Sequence, residues 1–121
     1  MKKLLLLAAL LLSSAAQAET YVCSEVSAEG NTYFLSFVRQ ESDFSMTVTA
    51  PETETSTAET WDAGRFKTLV ETDAMLTLAR ISPDGERVNV FMIKKMTNQF
   101  VSTTTVFEKQ TLRSAGSCLK V

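Results

Sequence analysis

Two cysteines stand near opposite ends of the 121-residue chain, Cys23 and Cys118, and they are the only two. If they pair, the bond closes a loop of roughly 100 residues and brings the first structural element beside the last. Their Cα atoms must then lie within about 7 Å of each other. A redox pair would have the spacing C-x-x-C with one activated thiolate. Cysteines this far apart read as a structural staple.

The segment before Cys23 says where such a bond could form. Met1-Lys2-Lys3 is followed by the apolar run Leu4–Leu12 and by Ser13-Ser14-Ala15-Ala16-Gln17-Ala18. A basic start, a short apolar stretch and an A-x-A site together predict a secretory leader spanning 1–18, cut after Ala18. The expected mature chain, 19–121, is one domain in an oxidising compartment, periplasmic or extracellular. Thr20-Tyr21-Val22 before Cys23 is not a lipobox, so no lipid anchor is expected. No other apolar run reaches the roughly 20 residues of a transmembrane helix.

Between the cysteines the apolar residues alternate. Phe44, Met46, Val48 and Ala50 interleave with Ser45, Thr47 and Thr49; Val101, Thr103, Thr105 and Phe107 interleave with Phe100, Ser102, Thr104 and Val106. A period of two is the signature of half-buried strands. Turn residues punctuate the pattern: Glu29-Gly30-Asn31, Glu41-Ser42-Asp43, Ser82-Pro83-Asp84-Gly85, Thr97-Asn98 and Glu108-Lys109-Gln110. The predicted strands are Thr20–Val26, Thr32–Arg39, Phe44–Ala50, Arg65–Thr72, Met75–Ser82, Arg87–Lys95, Gln99–Phe107 and Thr111–Leu119. One stretch, Ser56–Gly64, could hold a single helical turn. An eight-stranded antiparallel meander exposes its first and last strands unless it closes. The cysteines want those two strands together. The expectation is an all-β fold, a small eight-stranded antiparallel barrel, with a two-sheet sandwich as the alternative.

Charge and composition narrow the function. Losing Lys2 and Lys3 takes the formal net charge from −2 to −4. The acids crowd the first half: 19–62 carries −8, and 63–121 carries +4. The two halves could neutralise each other across strands, or one acidic face could meet a basic partner. Only Lys94 and Lys95 are adjacent bases in the mature chain, so nucleic acid is not an expected partner. There is no histidine, which removes the usual general base and the commonest transition-metal ligand. The four glycines are scattered, so no phosphate-binding loop is present. No cofactor, metal site or catalytic residue is expected. Carboxylates are the only catalytic material, with Glu71 and Asp73 as one pair and the acids of 51–62 as another group.

That segment, PETETSTAETWD, is long for a connection in a small domain. Its acids Glu52, Glu54, Glu59 and Asp62 surround Trp61, the only tryptophan. An aromatic anchor ringed by polar groups suits a contact surface. The leading expectation is therefore an exported, non-enzymatic binding barrel of the cell envelope. It would meet a macromolecule, such as a basic envelope protein, through its acidic half and the 51–62 loop. A second expectation is a carrier of a small apolar ligand inside the barrel, although seven phenylalanines would tend to fill that space.

A third expectation is an inhibitor of a basic envelope hydrolase. Architecture and terminal cysteines resemble small secreted bacterial barrels, among them periplasmic lysozyme inhibitors. Ala63-Gly64-Arg65-Phe66 is similar to the Ser-Gly-x-x-Tyr stretch of one such family. The serine and tyrosine of that stretch are absent here, and no Phe-Trp-x-Lys-Gly follows. No residue's role is carried over from those four positions.

Overall fold

A computed structural model describes residues 18–27 and 30–121 of the chain. Positions 1–17 of the expected leader and Glu29 of the first expected turn lie outside the described residues. Eight strands follow in order: β1 Thr20–Val26, β2 Thr32–Gln40, β3 Asp43–Ala50, β4 Glu59–Glu71, β5 Met75–Ile81, β6 Arg87–Lys94, β7 Gln99–Val106 and β8 Gln110–Lys120. Each pairs antiparallel with the next, and β8 returns to pair with β1, so the sheet closes into a barrel rather than a two-sheet sandwich. Closure removes both sheet edges. Cys23 is directly opposite Cys118 in the β1–β8 register, and the two are joined by a disulfide with Cα atoms 3.9 Å apart.

One boundary differs from expectation by more than one residue. The fourth strand begins at Glu59, not Arg65, and no helical turn forms over 56–64. Thr60, Trp61 and Asp62 pair with Thr49, Val48 and Thr47 of β3. An extra residue, Ala63, then bulges from β4, because Asp62 and Gly64 oppose consecutive residues of β3. A bulge shifts the alternation by one position, which hides the strand from a search for period two. The Asp62 carboxylate secures the bulge by accepting the Gly64 N–H at 2.8 Å. Gly64 has φ of +98°, a value that side chains disfavour. The connecting loop shrinks to 51–58.

The inward faces of the strands build the core. Tyr21, Phe37, Phe44, Phe66, Leu76, Leu78, Ile93 and Phe100 are buried around the disulfide. Phe37, Phe66 and Phe91 meet edge to face, with centroids 5.0–5.9 Å apart, the arrangement favoured by aromatic quadrupoles. Five of the seven phenylalanines point inward, whereas Phe34 and Phe107 are exposed. At Gly116 on β8 a β-carbon would sit 2.0 Å from the Ser24 carbonyl oxygen and 2.6 Å from the Phe100 ring. Only glycine lets β8 close over that ring.

An ion network covers this packed end. Arg39 donates to Glu19 at 2.8 Å and also to Glu71, and its guanidinium lies 4.6 Å over the Phe44 ring. Lys95 reaches Glu71 at 3.7 Å, and Lys120 reaches Glu19 at 3.4 Å. Tyr21 donates its hydroxyl proton to Glu19 at 2.7 Å. Burial pushes the Glu19 carboxyl up, but the hydrogen bonds from Tyr21 and Arg39 and the charges of Arg39 and Lys120 outweigh it and hold the group at about 2. Burial and the Glu19 hydrogen bond both push the Tyr21 hydroxyl well above its ordinary value. Elsewhere Arg65 pairs with Asp43 at 3.5 Å and Glu41 at 3.9 Å. Part of the charge asymmetry between the two halves is thus neutralised between neighbouring strands.

Candidate ligand-binding site

The opposite end of the barrel is hollow. Along four of the eight strands the inward face changes character halfway. On β5 it runs Leu76, Leu78, then Arg80; on β6, read backwards, Ile93, Phe91, then Asn89 and Arg87; on β7 Phe100, then Ser102 and Thr104; on β1 Tyr21, Cys23, then Glu25. Alternation carries each polar residue to the same side as the apolar ones before it. The polar members cannot complete a dry core, so the packing stops at their level.

What remains is a cup of about 840 Å³, opening between the β1–β2, β3–β4, β5–β6 and β7–β8 connections. This size lies within the usual range of small-molecule sites. Phe91, Leu35, Met46 and Ser102 are buried and also line the cup, so it reaches down to the aromatic core. Its two walls differ. The β2–β4 side carries Tyr33, Leu35, Met46, Val48, Trp61 and Ala63. The β5–β7 side carries Arg80, Arg87, Asn89, Ser102 and Thr104. Arg80, Asn89, Thr104 and Leu112 are successive cross-strand partners and form one tier of the wall.

The charged groups divide into engaged and unengaged. Glu25 accepts the Ser114 hydroxyl at 2.5 Å, and Asp62 accepts the Gly64 N–H. The guanidinium of Arg80 lies over Gly64, where a β-carbon would be 2.5 Å from its Nε. Among the described residues neither Arg80 nor Arg87 has an ion-pair partner. The buried Oδ1 of Asn89 accepts no hydrogen bond. Buried polar atoms are normally satisfied, so Asn89 carries an unmet acceptor in the wall of the cup.

The expected contact residues separate on the structure. Glu52 and Glu54 are exposed in the 51–58 loop. Glu59, Trp61 and Asp62 belong to β4 instead. Trp61 and Asp62 line the cup; Trp61 faces inward beside Val48 and is 44% exposed, so it forms part of the rim rather than a plug. The other carboxylate pair does not form a cleft: Glu71 is held by Arg39 and Lys95 at the packed end, and Asp73 is exposed in the β4–β5 turn. Glu25, Tyr33, Arg80, Arg87 and Asn89 were not singled out by sequence. Their signal is a charged or amide side chain falling on the apolar parity of a strand, as Arg80 does after Leu76 and Leu78.

The chain matches no family model, no curated protein and no solved structure. The functional reading therefore rests on this geometry.

Proposed function

We propose that this chain is an exported barrel that binds a small amphiphilic molecule in its open end. The observation that carries the reading is the cup itself: a large cavity with a buried aromatic floor, one apolar wall and one polar wall. Core-forming strands that turn polar halfway along give up packing energy, at about 25 cal/mol per Å² of apolar surface left unburied. A bound apolar body would recover that burial. The hydroxyl–carboxylate pair in the cup, Ser114 with Glu25, has no histidine to activate the serine, so binding fits the site better than turnover.

Trp61 provides the test. The neutral amphiphile N-phenyl-1-naphthylamine absorbs where tryptophan emits. Saturable one-to-one binding with quenching of Trp61 emission is the expected result. Replacing Ala63 by Trp should fill the cup and abolish binding. No saturable binding by the native protein would reject the reading.

A second reading has its own support at the rim. Glu52, Glu54 and Glu59 are exposed, and among the described residues none is in an ion pair. Together with Trp61 they suit a basic macromolecular partner, including a basic envelope hydrolase that the barrel would inhibit. Such a contact would be steered by charge and weakened by salt. Binding to basic envelope proteins that is unchanged between low and physiological ionic strength would exclude it.

A further inference from the structure

Resting on the reading of the cup as a ligand site, we infer that its ligand is a small organic anion: an apolar body with one carboxylate, sulfonate or phosphate group that pairs with Arg80. Three observations converge on this chemistry. The first is the inventory of charge in the cup. Two arginines, Arg80 and Arg87, and one carboxylate, Glu25, stand on inward strand positions there; Arg113 and Asp62 border the cup but pair with the outward residues Thr103 and Thr47. Both carboxylates are already engaged, by the Ser114 hydroxyl and the Gly64 N–H. Arg80 and Arg87 have no ion-pair partner among the described residues.

The second observation is that Arg80 is held in place. Its side chain is partly buried on the inward parity of β5, and it fills the space left by the missing side chain of Gly64. Packing against the Gly64 backbone takes up part of the rotamer freedom of Arg80 before an anion arrives. Its planar donors suit an oxyanion in two-point contact. Arg87 stands one inward position beyond Asn89 on β6, nearer the mouth, where it can meet the same charged group as it enters.

The third observation gives the ligand a direction. Asn89 is the cross-strand partner of Arg80, and its buried Oδ1 lacks a donor. Turned toward the cup, the Asn89 amide would offer this oxygen to a ligand N–H or O–H next to the anionic group. The apolar body then lies against Trp61, Val48 and Met46 on the facing wall and above Phe91. Asp84 and Glu86 share a hollow at the rim with Arg80 and Arg87; both acids are exposed, and solvent and salt weaken the opposition of exposed charges.

Two probes that share one skeleton separate this inference from the cup reading. N-phenyl-1-naphthylamine and 1-anilinonaphthalene-8-sulfonate both have an N–H and a flat apolar body; only the second carries an anion. Each is titrated into the disulfide-bonded protein, with Trp61 quenching as the readout. The sulfonate should bind about tenfold more tightly than the neutral probe, or better. Arg80→Gln should bring the ratio of the two affinities, both measured on that variant, to about one. Arg80→Lys keeps the charge but loses the two-point contact, so the preference should shrink without vanishing. Added salt should erode the sulfonate's advantage only.

Equal binding of both probes with Trp61 quenching would overturn the anion inference while the cup reading stands. A preference that survives Arg80→Gln would also overturn it. If neither probe binds, the cup reading fails and the inference falls with it.

Discussion

The guanidinium of Arg80 occupies the volume that a side chain at residue 64 would fill: a β-carbon there would stand 2.5 Å from Nε. The bulge in β4 and the arginine in β5 are therefore one arrangement. Gly64→Ala should cost about 1–3 kcal/mol, from the positive φ and from displacement of the arginine. Part of that cost should vanish in an Arg80→Ala background, giving a coupling of about 1 kcal/mol in a double-mutant cycle. Chemical denaturation measures all four proteins; strict additivity would say the two residues do not touch.

Neighbouring residues on β2 test which face is inside. Phe37 is fully buried among Phe66 and Phe91, whereas Phe34 is 41% exposed on the outer face. Phe37→Ala should destabilise the barrel by about 3–5 kcal/mol. Phe34→Ala should stay within about 1 kcal/mol. Similar losses at both positions would contradict the register.

The disulfide closes the barrel between its first and last strands. Cys23→Ser or Cys118→Ser should lower stability by about 2–5 kcal/mol, measured by urea unfolding. The double serine variant should lose no more than the worse single one, since the same bond is removed. The β1–β8 ladder would still be needed for closure, so the variant is expected to remain a barrel of lower stability.

Glu19 makes stability depend on acid. Its folded carboxyl is depressed to about 2 from 4.5, so its contribution is complete above pH 4.5 and disappears as pH falls toward 2. The melting midpoint should decline over that window. Glu19→Gln should flatten part of the decline and lower the midpoint at neutral pH, because Arg39 and Lys120 lose a partner. An identical pH profile in the variant would refute a role for Glu19 in covering the packed end.

Most of the fold was legible in the sequence because its determinants are local or topological. Alternation at Phe44–Ala50 and Gln99–Val106 marks strands by period, Ser82–Gly85 marks a turn by its backbone needs, and Cys23 with Cys118 specifies which strands meet. The start of β4 was not legible. Its acids and threonines are exposed, and the bulge at Ala63 breaks the period where Trp61 should have announced a strand. The cup was hidden for a different reason. Seven phenylalanines suggested a filled interior, and filling depends on where along each strand the inward residues lie. Five of them gather at one end. The polar residues at the other end, Arg80, Asn89 and Glu25, carry no motif; they are visible only once the inward parity of each strand is known.

Mapping a bound probe onto the chain tests the central claim most directly. Backbone amide shifts recorded by NMR with and without 1-anilinonaphthalene-8-sulfonate would locate its site. The largest changes should fall on Leu35, Val48, Trp61, Asn89 and Ser102, around the open end. Tyr21, Phe44 and Ile93, at the packed end, should barely move. Changes centred instead on the outer row of Met92, Val101 and Ala115 would place binding on the exterior of the sheet and contradict the account.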